Sequence, residues 1–356
     1  MIEPLLNNKR ILITGGTGSL GKVLVRRLLS GEMGKPRKIV VFSRDEAKQN
    51  DMRIAYQNLQ VATDETIYAN FKDTLRFRIG DVRDYASFSG ALGDADIVFN
   101  AAALKQVPTC EYFPQEAVAT NIQGPTNLVR AIRDLKLQIE TVIGISTDKA
   151  VKPINVMGMT KALQERIISQ GNLEAPATRF AVVRYGNVLA SRGSVVPLFH
   201  QQIRDGGPVT VTDDRMTRFL LTLDDAVDLI FDAIKTANPG ETYIPRAPSA
   251  RMIDLAEALI GERKIALRKT GIRPGEKIHE IMITEEEVTR TYERGKGYVI
   301  APILPELQHN LGIPATINGE FSSADNLLDA RELHKLLTSK NLLVEQQNNT
   351  HEELLR

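Results

Sequence analysis

The first two thirds of the chain alternate between short apolar runs and longer segments of helical periodicity. RILIT at Arg10–Thr14 is one such run, and Leu20, Val23, Leu24 and Leu28 then recur at helical spacing. Continuous apolar runs are typical of parallel strands buried on both faces, and parallel strands need a crossover between them. The alternation therefore predicts a doubly wound parallel α/β sheet. The predicted strands are 10–14, 38–43, 75–80, 96–101, 141–146 and 180–185, and a helix is predicted to begin near Val156.

The pattern changes after about residue 190, where short pieces rich in Gly and Pro replace the long alternation. They include RGSVVPLF from Arg192, GGPVTVTDD from Gly206 and the helix-like MIDLAEALI from Met252. We interpret these pieces as a smaller lobe that interleaves with the sheet. The predicted organisation is a sheet domain over 1–190 that returns for part of 210–245, a lobe over 191–335, and a polar tail over 339–356 that frays.

Charge and composition narrow the possible partners and location. Lys and Arg total 45 against 44 Asp and Glu, without the basic excess that nucleic-acid binding needs, so we expect no nucleic-acid partner. Cys110 is the single cysteine, which excludes an intrachain disulfide and fits a cytoplasmic location. We expect no membrane association, because the start lacks a signal pattern and no apolar run approaches the ~20 residues of a spanning helix. No metal is expected, because ligand spacing is missing among His200, His279, His309, His334 and His351.

A glycine-rich turn joins the first predicted strand to the first helix. In ILITGGTGSLG, Gly15, Gly18 and Gly21 have GxxGxxG spacing. Such a turn lets backbone N–H groups at a helix N-terminus meet a pyrophosphate. In the first strand–turn–helix of a βαβ chain it predicts a dinucleotide site, and a glycine turn without a ligand is the plainer alternative.

The residues after the second predicted strand bear on the choice of dinucleotide. The chain reads SRDEAK from Ser43, where an acidic residue would accept the ribose 2′-hydroxyl of NAD. Arg44 stands where a 2′-phosphate would lie, and Lys48 follows one helical turn later. These two cations favour NADP, while Asp45 is compatible with NAD.

The fifth predicted strand leads into residues that indicate catalysis. STDK at Ser146–Lys149 ends this strand, and Met157 and Lys161 follow at i and i+4. Short-chain dehydrogenases usually carry YxxxK here, in which the Tyr takes the substrate hydroxyl proton and the Lys lowers the pKa of the Tyr. Since a thioether moves no proton, the protein is either a degenerate binder or an enzyme with another base. Thr147, Asp148 and a water molecule are the alternatives for that base.

Four segments, in order, resemble the UDP-N-acetylglucosamine 4,6-dehydratases. They are Ala101–Asn121, Ser146–Lys161, Val182–Phe199 and Gly271–Glu280, within a resemblance that covers residues 9–300. The family includes soluble enzymes of pseudaminic acid and capsular amino-sugar pathways and membrane-anchored enzymes of bacillosamine-type pathways. The resemblance implies an extended short-chain dehydrogenase Rossmann fold with a smaller C-terminal substrate-binding lobe, bound NADP, UDP-N-acetylglucosamine as substrate, and a homo-oligomer from dimer to hexamer. It also implies that Met in place of the Tyr is compatible with activity.

The resemblance implies a hydro-lyase reaction with an internal redox cycle. NADP⁺ takes hydride from carbon 4, a base removes the acidified proton on carbon 5 while an acid protonates the leaving 6-hydroxyl, and the hydride returns to carbon 6. Such chemistry needs an adjacent acid and base. Lys149 is the candidate base, Asp148 the candidate acid, and Thr147 should hydrogen-bond the 4-hydroxyl. The plainer alternative is a surface ion pair; retention and inversion at carbon 5 both remain open.

The UDP part of the substrate needs its own contacts. The resemblance places Asn187 and Arg273 at the diphosphate, where a guanidinium can pair bidentately, and Glu276 at the ribose hydroxyls. The stretch 206–212 is expected to read the uracil edge through backbone groups, and Arg218 is a further candidate phosphate partner. Each charged residue is alternatively solvated surface. The predicted substrate-binding residues are Lys105, Asn187, Val195, Thr210, Arg218, Arg273 and Glu276.

The cofactor contacts extend beyond the glycine turn. Asp81-Val82, after the third strand, fits either an adenine contact or a strand-end cap, and Lys105 lies in the loop after the fourth strand. The predicted cofactor-binding residues are Gly15, Thr17, Gly18, Ser19, Leu20, Gly21, Ser43, Arg44, Lys48, Asp81, Val82, Ala101, Ala102, Lys105, Asn121 and Lys161.

Two other functions compete with the dehydratase. A UDP-sugar 4-epimerase shares the fold and cofactor, but it uses the Tyr and needs no acid–base pair after Thr147. A non-enzymatic NADP-binding regulator is suggested by Met157 alone. Lys161, the Asp148-Lys149 pair and the RPGEK segment argue against the regulator.

Overall fold

The strands form where the chain carries short β-branched or apolar runs. The structure, a computed structural model, describes residues 4–58, 71–189, 194–308 and 315–349. Within these residues the strands are β1 Arg10–Thr14, β2 Lys38–Ser43, β3 Leu75–Ile79, β4 Ile97–Asn100, β5 Thr141–Thr147, β6 Arg179–Tyr185, β7 Val209–Val211, β8 Thr217–Phe219, β9 Thr242–Pro245, β10 Ser249–Arg251, β11 Leu267–Lys269, β12 Ile281–Ile283, β13 Thr291–Arg294, β14 Gly297–Ile300 and β15 Phe321–Ser322.

Helices connect the strands, and several begin at a side-chain cap. Asn155, for example, accepts a hydrogen bond from the N–H of Gly158 at 2.8 Å and thereby starts the long helix that carries MGMTK. A π-helical turn at Ala119–Gln123 joins the fifth helix to the sixth. The helices are α1 Ser19–Leu29, α2 Glu46–Asn58, α3 Tyr85–Leu92, α4 Val107–Tyr112, α5 Pro114–Val118, α6 Gly124–Asp134, α7 Val156–Glu174, α8 Val195–Arg204, α9 Leu223–Thr236, α10 Met252–Ile260, α11 Glu285–Val288 and α12 Ala330–Ser339.

One nine-stranded sheet organises the described part of the chain. Its strand order is β13-β14-β9-β6-β5-β4-β1-β2-β3. Strands β1 to β6 pair only in parallel, and β9 adds parallel to β6. The predicted doubly wound α/β class is therefore confirmed. Because parallel strands end at the same edge, the loops after β1, β4, β5 and β6 meet on one side, where ligands bind in such sheets.

Both faces of the sheet are covered, which explains the continuous apolar runs. Ile11 and Ile13 of β1 face the cluster that contains Leu24 of α1, whereas Leu12 faces the cluster that contains Leu128 of α6. Successive side chains of a strand point to opposite faces. Burial of each such side chain contributes about 1.5–3 kcal/mol, so these runs fix the sheet.

The lobe has an apolar core of its own, and the predicted fraying of the chain from residue 339 is wrong for its first part. Leu342 and Val344 are buried in the same cluster as Phe199, Leu255 and Leu333. The three apolar residues LLV within an otherwise polar segment are the physical reason. Residues 350–356 of the predicted tail lie outside the described residues.

The sheet also receives strands from the range assigned to the lobe. Besides α9 and β9, whose return was expected, β13 and β14 form a hairpin that pairs antiparallel with β9. Gly295 in the two-residue turn has φ +59°, a conformation that glycine adopts without strain. The interleaving of the two regions is therefore more extensive than the pattern predicted.

Candidate active site at the carboxyl ends of the strands

The glycine turn after β1 is packed against the loop after β4. Gly15 has φ +66°, and a Cβ there would lie 2.9 Å from the backbone nitrogen of Ala102. Thr14 Oγ1 accepts hydrogen bonds from the N–H groups of Ala101 and Ala102, each at 3.0 Å. Helix α1 has no side-chain cap at Gly18, so its first N–H groups point into this cleft without intrahelical partners. The turn fits a pyrophosphate.

Two cations follow β2, and only Lys48 is paired with a carboxylate of the same turn. Arg44 is half exposed, and its guanidinium lies 3.7 Å from Asp81, which also pairs with Arg83. Lys48 instead pairs with Asp45 at 2.5 Å. The Lys48–Asp45 pair neutralises the carboxylate that would suit NAD. Arg44 is thus the more suitable partner for a 2′-phosphate.

Gln49 is a buried residue of this region that the sequence analysis did not single out. Its amide donates to the backbone oxygen and the hydroxyl of Ser43 and to the carbonyl of Arg78, each at 3.0 Å. These bonds tie the ends of β2 and β3 together. A lone glutamine on a polar helix gave no signal for this role.

Asn121, a predicted cofactor contact, has a side chain that is engaged within the protein. Asn121 is fully buried in the π-helical turn; it accepts from the N–H of Leu104 and donates to the Leu104 carbonyl and to Thr160 Oγ1. Its amide hydrogens are therefore committed to the loop after β4. Asn121 shapes this loop, and Lys105 follows at its exposed end.

Val82 also has a supporting position. Its carbonyl accepts a hydrogen bond from Asn127 at 2.9 Å, and its buried side chain lies under Gly124. Asp81 is the neighbouring polar group, and its pKa lies below the usual range because the hydrogen bonds and charge of Arg83 outweigh the opposing effect of burial.

Thr147, Asp148 and Lys149 form a connected group at the end of β5. Thr147 Oγ1 donates to Asp148 Oδ1 at 2.9 Å, and Lys149 Nζ donates to the same oxygen at 3.1 Å. The side chain of Asp148 is 0% exposed, which rules out a simple surface ion pair. A Cβ at Gly158 would lie 2.2 Å from the Lys149 carbonyl, so the glycine of MGMTK allows α7 to pack directly behind the pair.

Lys149 has two further partners. Its ammonium donates to Asn187 Oδ1 at 3.0 Å and lies 3.3 Å from Glu280 Oε1. Burial opposes the charge, but the carboxylates of Asp148 and Glu280 outweigh it and raise the pKa of Lys149 above the usual lysine value. Lys149 is therefore an ammonium in the resting protein, with Asn187, predicted at the diphosphate, beside it.

Met157 and Lys161 differ sharply in surroundings. Met157 is buried in a small apolar cluster with Cys110 and Ala117. Lys161 Nζ donates to the Ile145 carbonyl and to Gln164 Oε1, each at 2.5 Å. Burial lowers the pKa of Lys161 to about 7. The lysine of the motif therefore lies beneath the end of β5. The position of the usual tyrosine, four residues earlier, is occupied by Met157.

A buried ion triad supports this end of the sheet. Arg184 of β6 pairs with Glu165 of α7 at 2.7 Å and with Glu287 of α11 at 2.8 Å. Glu165 also accepts from Ser146 Oγ, one residue before Thr147. The triad joins sheet, helix and lobe beneath Thr147, Asp148 and Lys149. Its members are far apart in the chain, so no sequence motif marks them.

The segment 271–280 carries the predicted nucleotide handle. Arg273 is exposed, and Glu276 closes a turn with it, in which Gly275 has φ +80°. Asn155, the cap of α7, donates to the Gly275 carbonyl at 2.9 Å. Arg273 and Glu276 are therefore held next to helix α7, with Arg273 exposed and Glu276 partly exposed.

Arg218, the further candidate phosphate partner, is held by backbone carbonyls. Arg218 is 8% exposed, and its guanidinium donates to the carbonyls of Thr217, Lys277 and Ile278. It thus clamps the handle segment instead of facing solvent.

The other predicted lobe contacts have structural partners. Thr210 exchanges hydrogen bonds with the Gln202 side chain through its hydroxyl and its N–H, and Val195 begins α8 and packs partly on the lobe core. Their contacts with a substrate stay predictions.

The sheet order, the glycine turn and the MGMTK helix are those of an extended short-chain dehydrogenase/reductase. Residues 11–302 match the polysaccharide biosynthesis protein family, and the chain belongs to this family of nucleotide-sugar dehydratases and epimerases. No helix in the described ranges is long and apolar enough to cross a membrane.

Named relatives and solved structures are similar to the chain. The chain is 44% identical over 298 residues to a UDP-glucose 4-epimerase of Rickettsia bellii, which covers 82% of this chain and 83% of the relative. It is similar to the X-ray structure of Pen from Bacillus thuringiensis, with 34% identity, a TM-score of 0.83, and coverage of 95% of this chain and 99% of Pen. The dTDP-glucose 4,6-dehydratase DesIV from Streptomyces venezuelae, solved with NAD, shares the fold at 19% identity and TM-score 0.62, with 95% and 99% of the chains covered.

Proposed function

We propose that this protein is a UDP-N-acetylglucosamine 4,6-dehydratase, a hydro-lyase that forms a UDP-4-keto-6-deoxy-N-acetylhexosamine. The observation that carries the proposal is the pair formed by Lys149 Nζ and Asp148 Oδ1, 3.1 Å apart and buried at the end of β5. Elimination across carbons 5 and 6 needs an adjacent base and acid, which this pair supplies.

A UDP-sugar 4-epimerase is the second candidate, because the curated relatives carry the name UDP-glucose 4-epimerase at 44% identity. An epimerase moves a proton and a hydride at carbon 4 and leaves carbon 5 untouched. It therefore has no use for a second acid–base pair, and it relies on the phenol that Met157 replaces. Met157 together with Asp148 and Lys149 favours the dehydratase.

The residues present fit NADP, which when bound accepts hydride from carbon 4 of the sugar and delivers it to carbon 6. Gly15, Gly18 and the free N–H groups of α1 would hold the pyrophosphate, and Arg44 the 2′-phosphate. Lys161 would hold the nicotinamide ribose. A buried ammonium whose pKa is near 7 gains a hydrogen-bond acceptor in this way.

The protons can be followed through the chain's own groups. Thr147 hydrogen-bonds the 4-hydroxyl and passes its proton to the Asp148 carboxylate, 2.9 Å away. Lys149, as a neutral amine, takes the proton from carbon 5, while the Asp148 carboxylic acid gives its proton to the departing 6-hydroxyl, which leaves as water. Lys149 then returns a proton to carbon 5, so that both groups regain their starting states. The neutral amine is needed, so the rate should rise with pH as Lys149 loses its proton.

The UDP contacts complete the proposal. Arg273 and Asn187 would contact the diphosphate and Glu276 the ribose hydroxyls, while Lys105 would lie near the cofactor and the sugar. A homo-oligomer and a cytoplasmic location accompany the proposal and derive from the family resemblance and the composition.

Product analysis tests this function. Purified protein is incubated with UDP-N-acetylglucosamine without added cofactor, and the product is examined by NMR. A 4-keto-6-deoxy sugar, in either configuration at carbon 5, supports the dehydratase. UDP-N-acetylgalactosamine would support the epimerase, and no turnover would support the regulator.

A further inference from the structure

Glu280 is a second carboxylate next to Lys149, besides Asp148. Its Oε1 is 3.3 Å from Lys149 Nζ, and its side chain is 3% exposed. Asp148 belongs to the end of β5 in the sheet, whereas Glu280 directly precedes β12 in the lobe. The Lys149 ammonium therefore contacts one carboxylate from the sheet and one from the lobe.

The backbone and surroundings of Glu280 are firmly held. Its N–H donates to Ser323 Oγ at 2.9 Å, and its carbonyl accepts from the N–H of Ser323 at 2.7 Å. Arg218 Nε lies 3.8 Å from Oε1, and the Arg218 guanidinium also donates to the carbonyls of Ile278 and Lys277, two and three residues before Glu280. The carboxylate thus has little freedom to turn away from Lys149.

One oxygen of each flanking carboxylate is buried without a partner. Glu280 Oε2 and Asp148 Oδ2 have no hydrogen bond within the described residues. Buried polar atoms are usually satisfied, and an unsatisfied one costs about 1–3 kcal/mol or more for a charged group. A pair kept only for stability would satisfy these oxygens, so their position next to Lys149 points to use in the reaction.

We propose that Glu280 is a positioning residue of the dehydration, which aims Lys149 Nζ at carbon 5 and, with Asp148, sets the proton affinity of that amine. This inference rests on the proposed function, in which Lys149 is the base. Glu280 also ends the segment that carries Arg273 and Glu276. Binding of the nucleotide to Arg273 and Glu276 would therefore also fix the position of Glu280 next to Lys149.

The charged groups around Lys149 determine the expected pH effect. Asp148 and Glu280 favour its protonation, while Arg218 and Lys277 oppose it. Glu280→Gln removes one of the two favourable charges and keeps the size of the side chain. The pKa of Lys149 should then fall by about 1–3 units, the range for an opposite charge at this distance. Activity that needs the neutral amine should begin at correspondingly lower pH.

Two measurements test the proposal. First, the reactivity of Lys149 toward acetic anhydride is followed against pH by mass spectrometry in the resting protein, which needs no substrate and no turnover. Glu280→Gln should move the midpoint to lower pH, Glu280→Asp should restore it, and Glu320→Gln, an equal charge change at an exposed ion pair of the lobe, should leave it in place.

Second, kcat and KM for dehydration are measured against pH. Glu280→Gln should lower the maximal kcat on the order of 10²-fold, as expected for a misplaced catalytic group, with KM within about threefold and the ascending limb shifted to lower pH. Unmoved midpoints and limbs in Glu280→Gln, whether or not activity falls, would overturn the proposal. If wild-type protein makes no 4-keto-6-deoxy sugar, the proposed function fails, while the labelling midpoint still reports whether Glu280 controls Lys149.

Discussion

Lys149 Nζ lies 3.1 Å from Asp148 Oδ1 although the two residues are neighbours in sequence. Adjacent side chains diverge in a strand, where they point to opposite faces. Here the strand ends at Thr147, and a 3₁₀ turn at Asp148–Ala150 brings both side chains to one side. The turn, capped by Thr147 Oγ1 at the N–H of Lys149, is the structural origin of the acid–base pair.

Replacement of Lys149 should separate oxidation from elimination. Lys149→Ala removes the proposed base for carbon 5 but not Thr147 or Asp148, so the 4-keto sugar and reduced nicotinamide should accumulate. The reaction is run in ²H₂O and followed by absorbance in the reduced nicotinamide band, and the quenched sugar is examined by NMR. The variant should show no deuterium at carbon 5, whereas the wild type should incorporate it. Lys152→Ala, which removes an exposed lysine three residues on, is the matched control and should behave as wild type.

Asp148→Asn should give a different outcome from Lys149→Ala. Asp148 takes the 4-hydroxyl proton through Thr147 as well as donating to the leaving hydroxyl. Asp148→Asn should therefore slow oxidation and the departure of water together, and less reduced nicotinamide should accumulate than in Lys149→Ala. Near-normal dehydration by Lys149→Ala would place the base elsewhere and contradict the assignment.

Arg44 should select the cofactor more strongly than Lys48. Arg44→Ala should weaken NADP binding by about 10–100-fold, the loss of a hydrogen bond to a charged group, and leave NAD binding nearly unchanged. Lys48→Ala should have a smaller effect, because its ammonium is already paired with Asp45. Calorimetric titration of both cofactors checks this; equal losses for NAD and NADP in Arg44→Ala would refute the 2′-phosphate assignment.

Arg273 should contribute to nucleotide binding alone. Arg273→Ala should weaken UDP-sugar binding by about 1.5–3 kcal/mol and leave NADP binding intact, because Arg273 is exposed and lies in the lobe. Arg268→Ala, at an exposed position of β11, provides the control. Parallel loss of both ligands would instead indicate a misfolded lobe.

Lys161 should make the stability of the protein depend on pH. Its pKa is about 7 in the folded protein and about 10.4 when unfolded, so between these values the unfolded chain binds more protons and the free energy of unfolding rises with pH. Lys161→Met lacks this contribution. The difference in unfolding free energy, wild type minus variant, should therefore increase by about 2–3 kcal/mol from pH 7.5 to 9.5, measured by urea denaturation; a constant difference would exclude a depressed pKa.

Much of the fold could be predicted because continuous apolar runs correspond to strands buried on both faces. The strand at Arg10–Thr14 has its predicted bounds, and Leu12 and Ile13 serve opposite clusters. The hairpin of β13 and β14 was not predicted, because its two four-residue strands carry charged and glycine positions that interrupt the pattern.

The site was predictable where neighbours in sequence are neighbours in space. Asp148 and Lys149 are adjacent at a predicted strand end, and the family resemblance suggested their roles as a pair. Glu280 is remote in sequence, and only the fold of the lobe brings it to Lys149. The partners of Arg218 could not be predicted either. Its guanidinium donates to the backbone carbonyls of Thr217 and Lys277, and such contacts leave no sign in the sequence.

The central claim is tested most directly by the fate of the hydrogen on carbon 4. UDP-N-acetylglucosamine with deuterium at carbon 4 is converted by the wild-type protein, and the product is analysed by NMR and mass spectrometry. The dehydratase account predicts that the deuterium appears in the new methyl group at carbon 6, because the hydride removed from carbon 4 returns there within the same active site. Deuterium retained at carbon 4 of a UDP-N-acetylgalactosamine product would show 4-epimerisation and contradict the account.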